Sequence, residues 1–137
     1  MAECIFCRIA RNEASAERIL ETEHVVSFLD FQPKSLGHTL VIPKRHATRL
    51  ADLSNELASE VFKATKDVVG MLEKALKPDD FTIGINDGVG AGQEVPHLHV
   101  NVIPRFKGDG ARAIHSVVHN PPREDIMHTA ERIRSAT

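Results

Sequence analysis

The sequence predicts an α+β protein with an antiparallel sheet of about five strands, one long helix and one or two short helices. Two observations carry this prediction. Short alternating or wholly apolar stretches typical of strands occur before and after a single long stretch with a helical repeat. The gaps between strands have hairpin length, whereas βαβ units would alternate strands with helices. The 137 residues, 42% of them hydrophobic, fit one domain spanning residues 1–137.

The first half of the chain is predicted to hold a short helix and three strands. CIFCRIA, from Cys4 to Ala10, has apolar residues at helical spacing and predicts a short helix or turn. Arg18–Leu20 is predicted as a short edge strand and His24–Asp30 as a strand rich in Val and Phe. HTLVIP, from His38 to Pro43, is predicted as a buried strand that follows the loop FQPKSLG and ends at its proline.

The second half begins with the long helix, predicted from Ser54 to Lys77. Ser54 is a favourable N-cap, and Pro78 cannot continue the helix. The remaining predicted elements are, in order, the strand Phe81–Asn86, the glycine-rich loop DGVGAGQ, the strand His97–Pro104 and a final helix from Arg123 to Arg134.

The charge pattern argues against nucleic acid or a membrane as a partner. The net charge is −2, with 17 basic and 19 acidic residues scattered along the chain, so no basic surface is indicated. The sequence has no apolar run near the roughly 20 residues that cross a bilayer, and its N-terminus lacks a signal-peptide pattern. We therefore expect a soluble, cytoplasmic protein.

Residues 97–101, HLHVN, carry the strongest chemical signal. On a strand, His97, His99 and Asn101 would share one face, while Leu98 and Val100 would face the core. Three interpretations fit this pattern: the solvated face of an antiparallel strand, a metal site, or nucleophilic catalysis, since a neutral imidazole attacks phosphorus well.

The loop before this segment favours phosphate chemistry. Gly88, Gly90 and Gly92 in NDGVGAGQ have neither Rossmann spacing nor a Walker A lysine, and a strand follows rather than a helix. The loop could be a flexible turn, or it could direct backbone N–H groups at an anion. An anion cradle beside an imidazole is the better joint hypothesis.

Cys4 and Cys7 are the only two cysteines. Their C-x2-C spacing would allow a small strained disulfide, but in a cytosolic protein it more often indicates zinc or redox chemistry.

The segment GQEVPHLHVNVIPR, Gly92 to Arg105, resembles the signature of the histidine triad (HIT) proteins, three alternating histidines preceded by G-Q-x-V. CIFCRIARNE, FLDFQPKSLGHTLVIPKRH and the long helix follow in that family's order, so the resemblance covers most of the chain. It implies a homodimer whose sheet continues across both copies. It also implies a nucleotide hydrolase, phosphoramidase or nucleotidyltransferase acting at the α-phosphorus of purine nucleotide conjugates: AMP-amines, acyl or lysyl adenylates, or dinucleoside polyphosphates.

The resemblance also implies roles for individual residues. His99 would be the nucleophile that forms a nucleotidyl intermediate, with His38 beside it and Asn101 at the place of the third histidine. Asp30 would bind the ribose hydroxyls. Glu94 is expected to offer its N–H and turn its carboxylate away from phosphate. The other implied nucleotide contacts are the base-pocket residues Ile5, Phe6, Ile9, Phe28 and Phe31, and the phosphate-side residues Asn86, Gly92, Gln93 and Val95.

Zinc-bearing bacterial members of that family imply a metal site as well. Its ligands here would be Cys4, Cys7, His46 and His97, and the zinc would be structural because four protein ligands leave no position for water. The remaining histidines, His24, His115, His119 and His128, are expected on the surface.

Asn101 leaves the activity open. An amide can donate a hydrogen bond to an oxyanion but cannot exchange a proton near neutral pH. Uridylyltransferase and adenylyltransferase relatives carry an amide, Gln, at this position and transfer nucleotides. Alternatively, Asn101 is a natural or engineered replacement that lowers turnover, and the protein is a low-activity, nucleotide-binding dimeric interaction module.

Overall fold

The structure is a computed structural model and describes residues 3–136. It has a five-stranded antiparallel sheet and three α-helices, one of them long, which confirms the predicted fold class. The elements are α1 Ile5–Ala10, β1 Arg18–Glu21, β2 Val25–Leu29, β3 Thr39–Pro43, α2 Asn55–Leu76, β4 Asp80–Gly84, β5 Val100–Arg105 and α3 Ile126–Ser135.

The strands are ordered β1-β2-β3-β5-β4, and every neighbouring pair is antiparallel. β3 is central, with Leu40 opposite Phe28 on β2 and opposite Asn101 on β5. This register brings His38, which directly precedes β3, close to the segment that carries His99 and Asn101.

Helices cover both faces of the sheet. Because side chains alternate along a strand, β2 and β3 supply each face with a separate apolar cluster. One cluster packs against α2 and contains Val25, Val41, Val61, Ala64, Val68, Leu72, Val100 and Val102. The other packs against α1 and contains Phe6, Ile9, Val26, Phe28, Leu40 and Ile42. None of the helices between residues 3 and 136 is long and apolar enough to cross a membrane.

The ends of α2 follow the sequence prediction. The Ser54 hydroxyl accepts a hydrogen bond from the Leu57 N–H at 3.1 Å, which satisfies one of the free donors of the first turn. Lys77 closes the helix in a left-handed conformation, with φ 49°. Pro78 follows directly and prevents continuation.

The predicted strand His97–Pro104 is wrong at its start, because β5 begins at Val100. The Leu98 N–H donates to the Ala47 carbonyl at 2.7 Å and the His97 N–H to the Val95 carbonyl at 2.8 Å, so neither joins the ladder with β3. Of the three interpretations of HLHVN, the solvated strand face does not hold for His97, which is fully buried.

Smaller differences lie at other element ends. β4 ends at Gly84, two residues before the predicted end, and β1 extends to Glu21. α3 begins at Ile126 rather than at Arg123, since the Asp125 carboxylate caps it by accepting the His128 N–H at 2.9 Å. No residue of α3 is buried.

Candidate functional site

His99 is held in one tautomer by the backbone. Its Nδ1 lies 2.8 Å from the His97 carbonyl oxygen. A carbonyl only accepts, so Nδ1 carries the proton and Nε2 keeps a lone pair. The Phe6 ring packs against the imidazole at a centroid distance of 5.3 Å and an interplanar angle of 84°. Nε2 is therefore the nitrogen of this half-buried ring that keeps a lone pair.

His38 and Asn101 form a hydrogen-bonded pair. His38 is 3% exposed, and its Nδ1 accepts the Lys34 N–H at 3.1 Å. Its Nε2 therefore carries the proton of the neutral ring and donates to Asn101 Oδ1 at 3.0 Å. The amide nitrogen of Asn101 points to the Gly84 carbonyl, 3.4 Å away. Both ends of the amide are thus engaged.

Asp30 lies beside this pair at the end of β2. One carboxylate oxygen is 3.6 Å from His38 Nε2, and the other accepts the Gln32 N–H at 2.9 Å. A cleft of about 420 Å³ opens here, lined by Leu29, Asp30, His38 and the intervening loop from Pro33. A diol could reach the Asp30 carboxylate in this cleft.

The Gln93 side chain holds the glycine-rich loop. Its Oε1 accepts the Gly88 N–H at 2.8 Å, and its Nε2 donates to the carbonyls of Thr48 at 2.8 Å and Val95 at 3.1 Å. Gln93 is 7% exposed. Because its amide is committed to these three groups, Gln93 fixes the loop and does not itself face solvent.

Asn86, Gly92 and Glu94 belong to the same loop region as Gln93. Gly92 has φ 99°, and a side chain added there would come within 3.6 Å of the Asn86 amide nitrogen. That distance is an ordinary contact, so the positive φ, and not a lack of space, is what favours glycine at this position. The side chains of Asn86 and Glu94 are exposed.

The residues predicted to line a base pocket differ in how far their side chains are buried. Phe6, Ile9 and Phe28 are buried, and the rings of Phe6 and Phe28 pack at 5.5 Å. Phe31 is 63% exposed, although its ring centroid lies 6.4 Å from that of Phe28. Ile5 is 40% exposed. Ile5 and Phe31 are therefore the apolar side chains of this set that a ligand can reach without displacing the core.

The structure brings Cys4, Cys7, His46 and His97 into one cluster, with their potential ligand atoms all within 4.8 Å of one another. Cys4 Sγ lies 3.4 Å and Cys7 Sγ 3.5 Å from His97 Nδ1, and Cys7 Sγ lies 3.2 Å from His46 Nδ1. Ligand atoms around a tetrahedral zinc with bonds of 2.0–2.3 Å are separated by roughly 3.3–3.8 Å. The cluster has the spacing and the donor set of such a site.

The buried imidazole of this cluster is oriented for coordination. His97 Nε2 donates to the Pro43 carbonyl at 2.8 Å, which leaves the Nδ1 lone pair facing the thiols. Burial lowers the pKa of His97 to about 4, so the ring is neutral at pH 7. Burial and the neighbouring Cys4 thiol raise the pKa of Cys7 to about 11. A bound dication would favour the thiolate instead.

Several contacts have no signal in the sequence. The Lys34 N–H and the carbonyls of Thr48 and Gly84 are backbone groups, which any residue type supplies. Arg49 was not among the predicted site residues. Its guanidinium lies over Gly88, which has φ 113°. Its Nε is 3.6 Å from the Asp87 carboxylate. The four remaining histidines, His24, His115, His119 and His128, are exposed as expected.

The chain is similar to known proteins in both sequence and structure. A profile of the HIT domain matches residues 11–108. An adenosine 5'-monophosphoramidase of Schizosaccharomyces pombe is 37% identical over 102 residues, 74% of this chain and 74% of that protein. The crystal structure of a HIT-family protein from Bacillus subtilis has a TM-score of 0.88 at 34% identity and covers 99% of this chain and 98% of that chain. A zinc-bound histidine triad protein from Mycobacterium smegmatis has a TM-score of 0.75 at 35% identity, with 98% and 97% covered.

Proposed function

The chain belongs to the HIT domain family, and from this membership we propose that it cleaves or transfers purine nucleotide conjugates at the α-phosphorus. Its likeness to an adenosine 5'-monophosphoramidase supports a nucleotide hydrolase role. The observation that carries the proposal is the tautomer of His99, whose Nδ1 proton is held by the His97 carbonyl while Nε2 keeps its lone pair. The substrates would be AMP-amines, acyl or lysyl adenylates, or dinucleoside polyphosphates.

The reaction would proceed in two displacements through His99. Nε2 attacks the α-phosphorus and a P–N bond to the ring forms, while the bond to the amine, carboxylate or phosphate leaving group breaks and its electron pair departs with that group; an amine takes up a proton from water as it leaves. The His97 carbonyl accepts a hydrogen bond from Nδ1–H and so stabilises the positive charge that the ring acquires. Water or another acceptor then attacks the phosphorus and releases the nucleotide from His99.

The surrounding residues would bind the nucleotide. Asp30, in its cleft, would accept hydrogen bonds from the ribose hydroxyls. Backbone N–H groups at Gly92, Glu94 and Val95, with the Asn86 amide, would contact phosphate oxygens. Gln93 would position this loop, since its own amide is occupied. The base would lie against the accessible side chains of Ile5 and Phe31, with the buried Phe6, Ile9 and Phe28 packed behind them.

We further propose that Cys4, Cys7, His46 and His97 hold a structural zinc ion. The cluster spacing supports this assignment, as does the similarity to a zinc-bound protein of M. smegmatis. The ion would tie the N-terminal segment to the sheet, and four protein ligands leave no position for a reactive water. The functional unit would be a single domain over residues 1–137, acting as a cytoplasmic homodimer.

Intact-protein mass spectrometry after mixing with an AMP-amine conjugate tests the proposal. We expect a nucleotidyl adduct that peptide mapping places on His99, together with release of AMP. His99→Ala should form no adduct, and His115→Ala, which alters an exposed histidine, should behave as the wild type. A wild-type protein that forms no adduct and releases no AMP would contradict the proposed chemistry.

Asn101 favours one alternative, a nucleotide-binding interaction module with little turnover. Its amide cannot exchange a proton, and both ends are engaged by His38 and Gly84. Tight purine-nucleotide binding without turnover, unchanged in His99→Ala, would support this alternative over the enzyme.

A further inference from the structure

We propose that Phe6 is a positioning residue that couples the Cys4–Cys7–His46–His97 cluster to the orientation of His99. The coupling rests on the proposed zinc site, and only its kinetic consequence rests on the proposed nucleotide chemistry as well. Phe6 lies between the two cysteines in sequence, on α1, where Cys4 occupies the N-cap position. A shift of either cysteine therefore moves the backbone that carries this ring.

The Phe6 ring packs against the imidazoles of both His99 and His97. Its centroid lies 5.3 Å from that of His99 and 5.9 Å from that of His97, with interplanar angles of 84° and 76°. Phe28 packs on it at 5.5 Å, also edge to face. At 5% exposure, Phe6 has little freedom to rotate without displacing these neighbours. The ring thus forms part of the wall that sets the rotamer of His99.

The rest of α1 has few directional ties to the sheet. Phe6 and Ile9 pack in the apolar cluster, and the Arg18 guanidinium donates to the Ile9 carbonyl. Apolar packing is not directional, so it permits small rotations of a helix of only 6 residues. Two Sγ–metal bonds would remove that freedom, because coordination distances are fixed to within about 0.2 Å.

A second connection to His99 runs through His97. Its imidazole belongs to the cluster, while its backbone carbonyl accepts the Nδ1 proton of His99. Metal at the cluster would therefore restrain the carbonyl that selects the tautomer and the ring that blocks other rotamers. The metal cluster that attaches α1 to the sheet would thereby also orient His99.

Nitrogen-15 NMR of the His99 imidazole in nucleotide-free protein tests the coupling. Spectra of the zinc-loaded protein are compared with spectra recorded after a chelator has removed the zinc. The wild type, Phe6→Leu and the matched control Phe106→Leu are each measured in both states. The His99 signals are assigned by their loss in His99→Ala. In the wild type and in Phe106→Leu we expect one Nδ1–H tautomer with zinc and a mixture without it. In Phe6→Leu the mixture should already exist with zinc, and zinc removal should change it by less than half the wild-type shift.

The proposal is overturned if the wild type binds no zinc or if its His99 signals are the same with and without zinc. It is also overturned if Phe6→Leu binds zinc and its His99 signals change on zinc removal as much as those of Phe106→Leu. Should the zinc-free protein unfold, the zinc-loaded spectra decide: identical tautomer ratios in Phe6→Leu and Phe106→Leu overturn it.

Kinetics separate this role from a base-pocket role. A misaligned nucleophile should lower kcat by ~10–100-fold in Phe6→Leu while KM changes by less than about threefold. A rise in KM with kcat unchanged would mean that Phe6 only contacts the base, and would contradict the positioning role. If every variant lacks turnover, the proposed function fails while the NMR comparison still decides the coupling.

Discussion

At the scale of single residues, Asn101 is fixed in position by its hydrogen bonds but cannot exchange a proton. The His38–Asn101 hydrogen bond of 3.0 Å fixes the amide with its oxygen toward His38. The Lys34 N–H fixes the His38 tautomer from the other side, so the pair has a single consistent pattern of donors and acceptors. What this pattern lacks is a group at position 101 that can gain or lose a proton near neutral pH.

Replacing Asn101 by His should therefore raise turnover of an AMP-amine conjugate. General acid–base assistance contributes about 10²–10⁴-fold, so we expect at least a tenfold rise in kcat by continuous assay of AMP release. Asn101→Gln is the matched control, because it retains an amide and should stay within a few-fold of the wild type. Equal rates for the His and Gln variants would show that proton transfer at this position does not limit the reaction.

The sequence predicted those parts of the site that depend on the chemistry of the side chains. The C-x2-C spacing, with the histidines of the resembled family, indicated the cluster that the structure brings together. The sequence could not predict the Gln93 contacts, since all three partners are backbone groups: the Gly88 N–H and the carbonyl oxygens of Thr48 and Val95. Such partners depend on where the chain runs rather than on which residue is present.

At the scale of elements, the alternation in HLHVN indicated a strand, but pairing decides where a strand starts. The amides of His97 and Leu98 bond to Val95 and Ala47, because the segment turns toward the cluster before it meets β3. That turn buries His97 and leaves Val100 as the first residue of β5. Period-two alternation predicts faces correctly only for residues that are in the ladder.

The loop from β2 to β3 should be intolerant of a side chain at Gly37. Its φ is 84°, and an added Cβ would lie 2.5 Å from Leu76 Cδ1 at the end of α2. We expect Gly37→Ala to lower the free energy of unfolding by about 2–3 kcal/mol, through backbone strain and displaced packing.

Gly110→Ala is the control, because Gly110 has φ 71° with nothing within 4 Å of an added Cβ. Its cost should be the backbone strain alone, about 1 kcal/mol, measured by urea denaturation of both variants. Equal losses would show that Leu76 moves away freely and that the loop is not packed against α2.

At the scale of the whole molecule, the two edges of the sheet differ in chemistry. β1 carries Arg18 and Glu21, and Lys44 bonds to Glu21 at 2.8 Å, so this edge is charged. β4 forms the other edge in the described chain and pairs only with β5; beyond the exposed Asp80 at its start it carries no charge, and it exposes Ile83, which is 42% accessible. Charged edges resist strand pairing, whereas an apolar edge invites it. The sheet is therefore expected to continue into a second copy across β4.

An exposed apolar side of α2 supports the same assembly, with Phe62 47% and Met71 41% accessible. Size-exclusion chromatography with light scattering should give about twice the 15.1 kDa chain mass. Ile83→Lys should shift the protein toward monomer, since it places a charge on the pairing edge. Glu23→Lys, which changes an exposed charge beside the β1 edge, should leave the dimer intact. A monomeric wild type, or a dimer lost only in Glu23→Lys, would contradict pairing through β4.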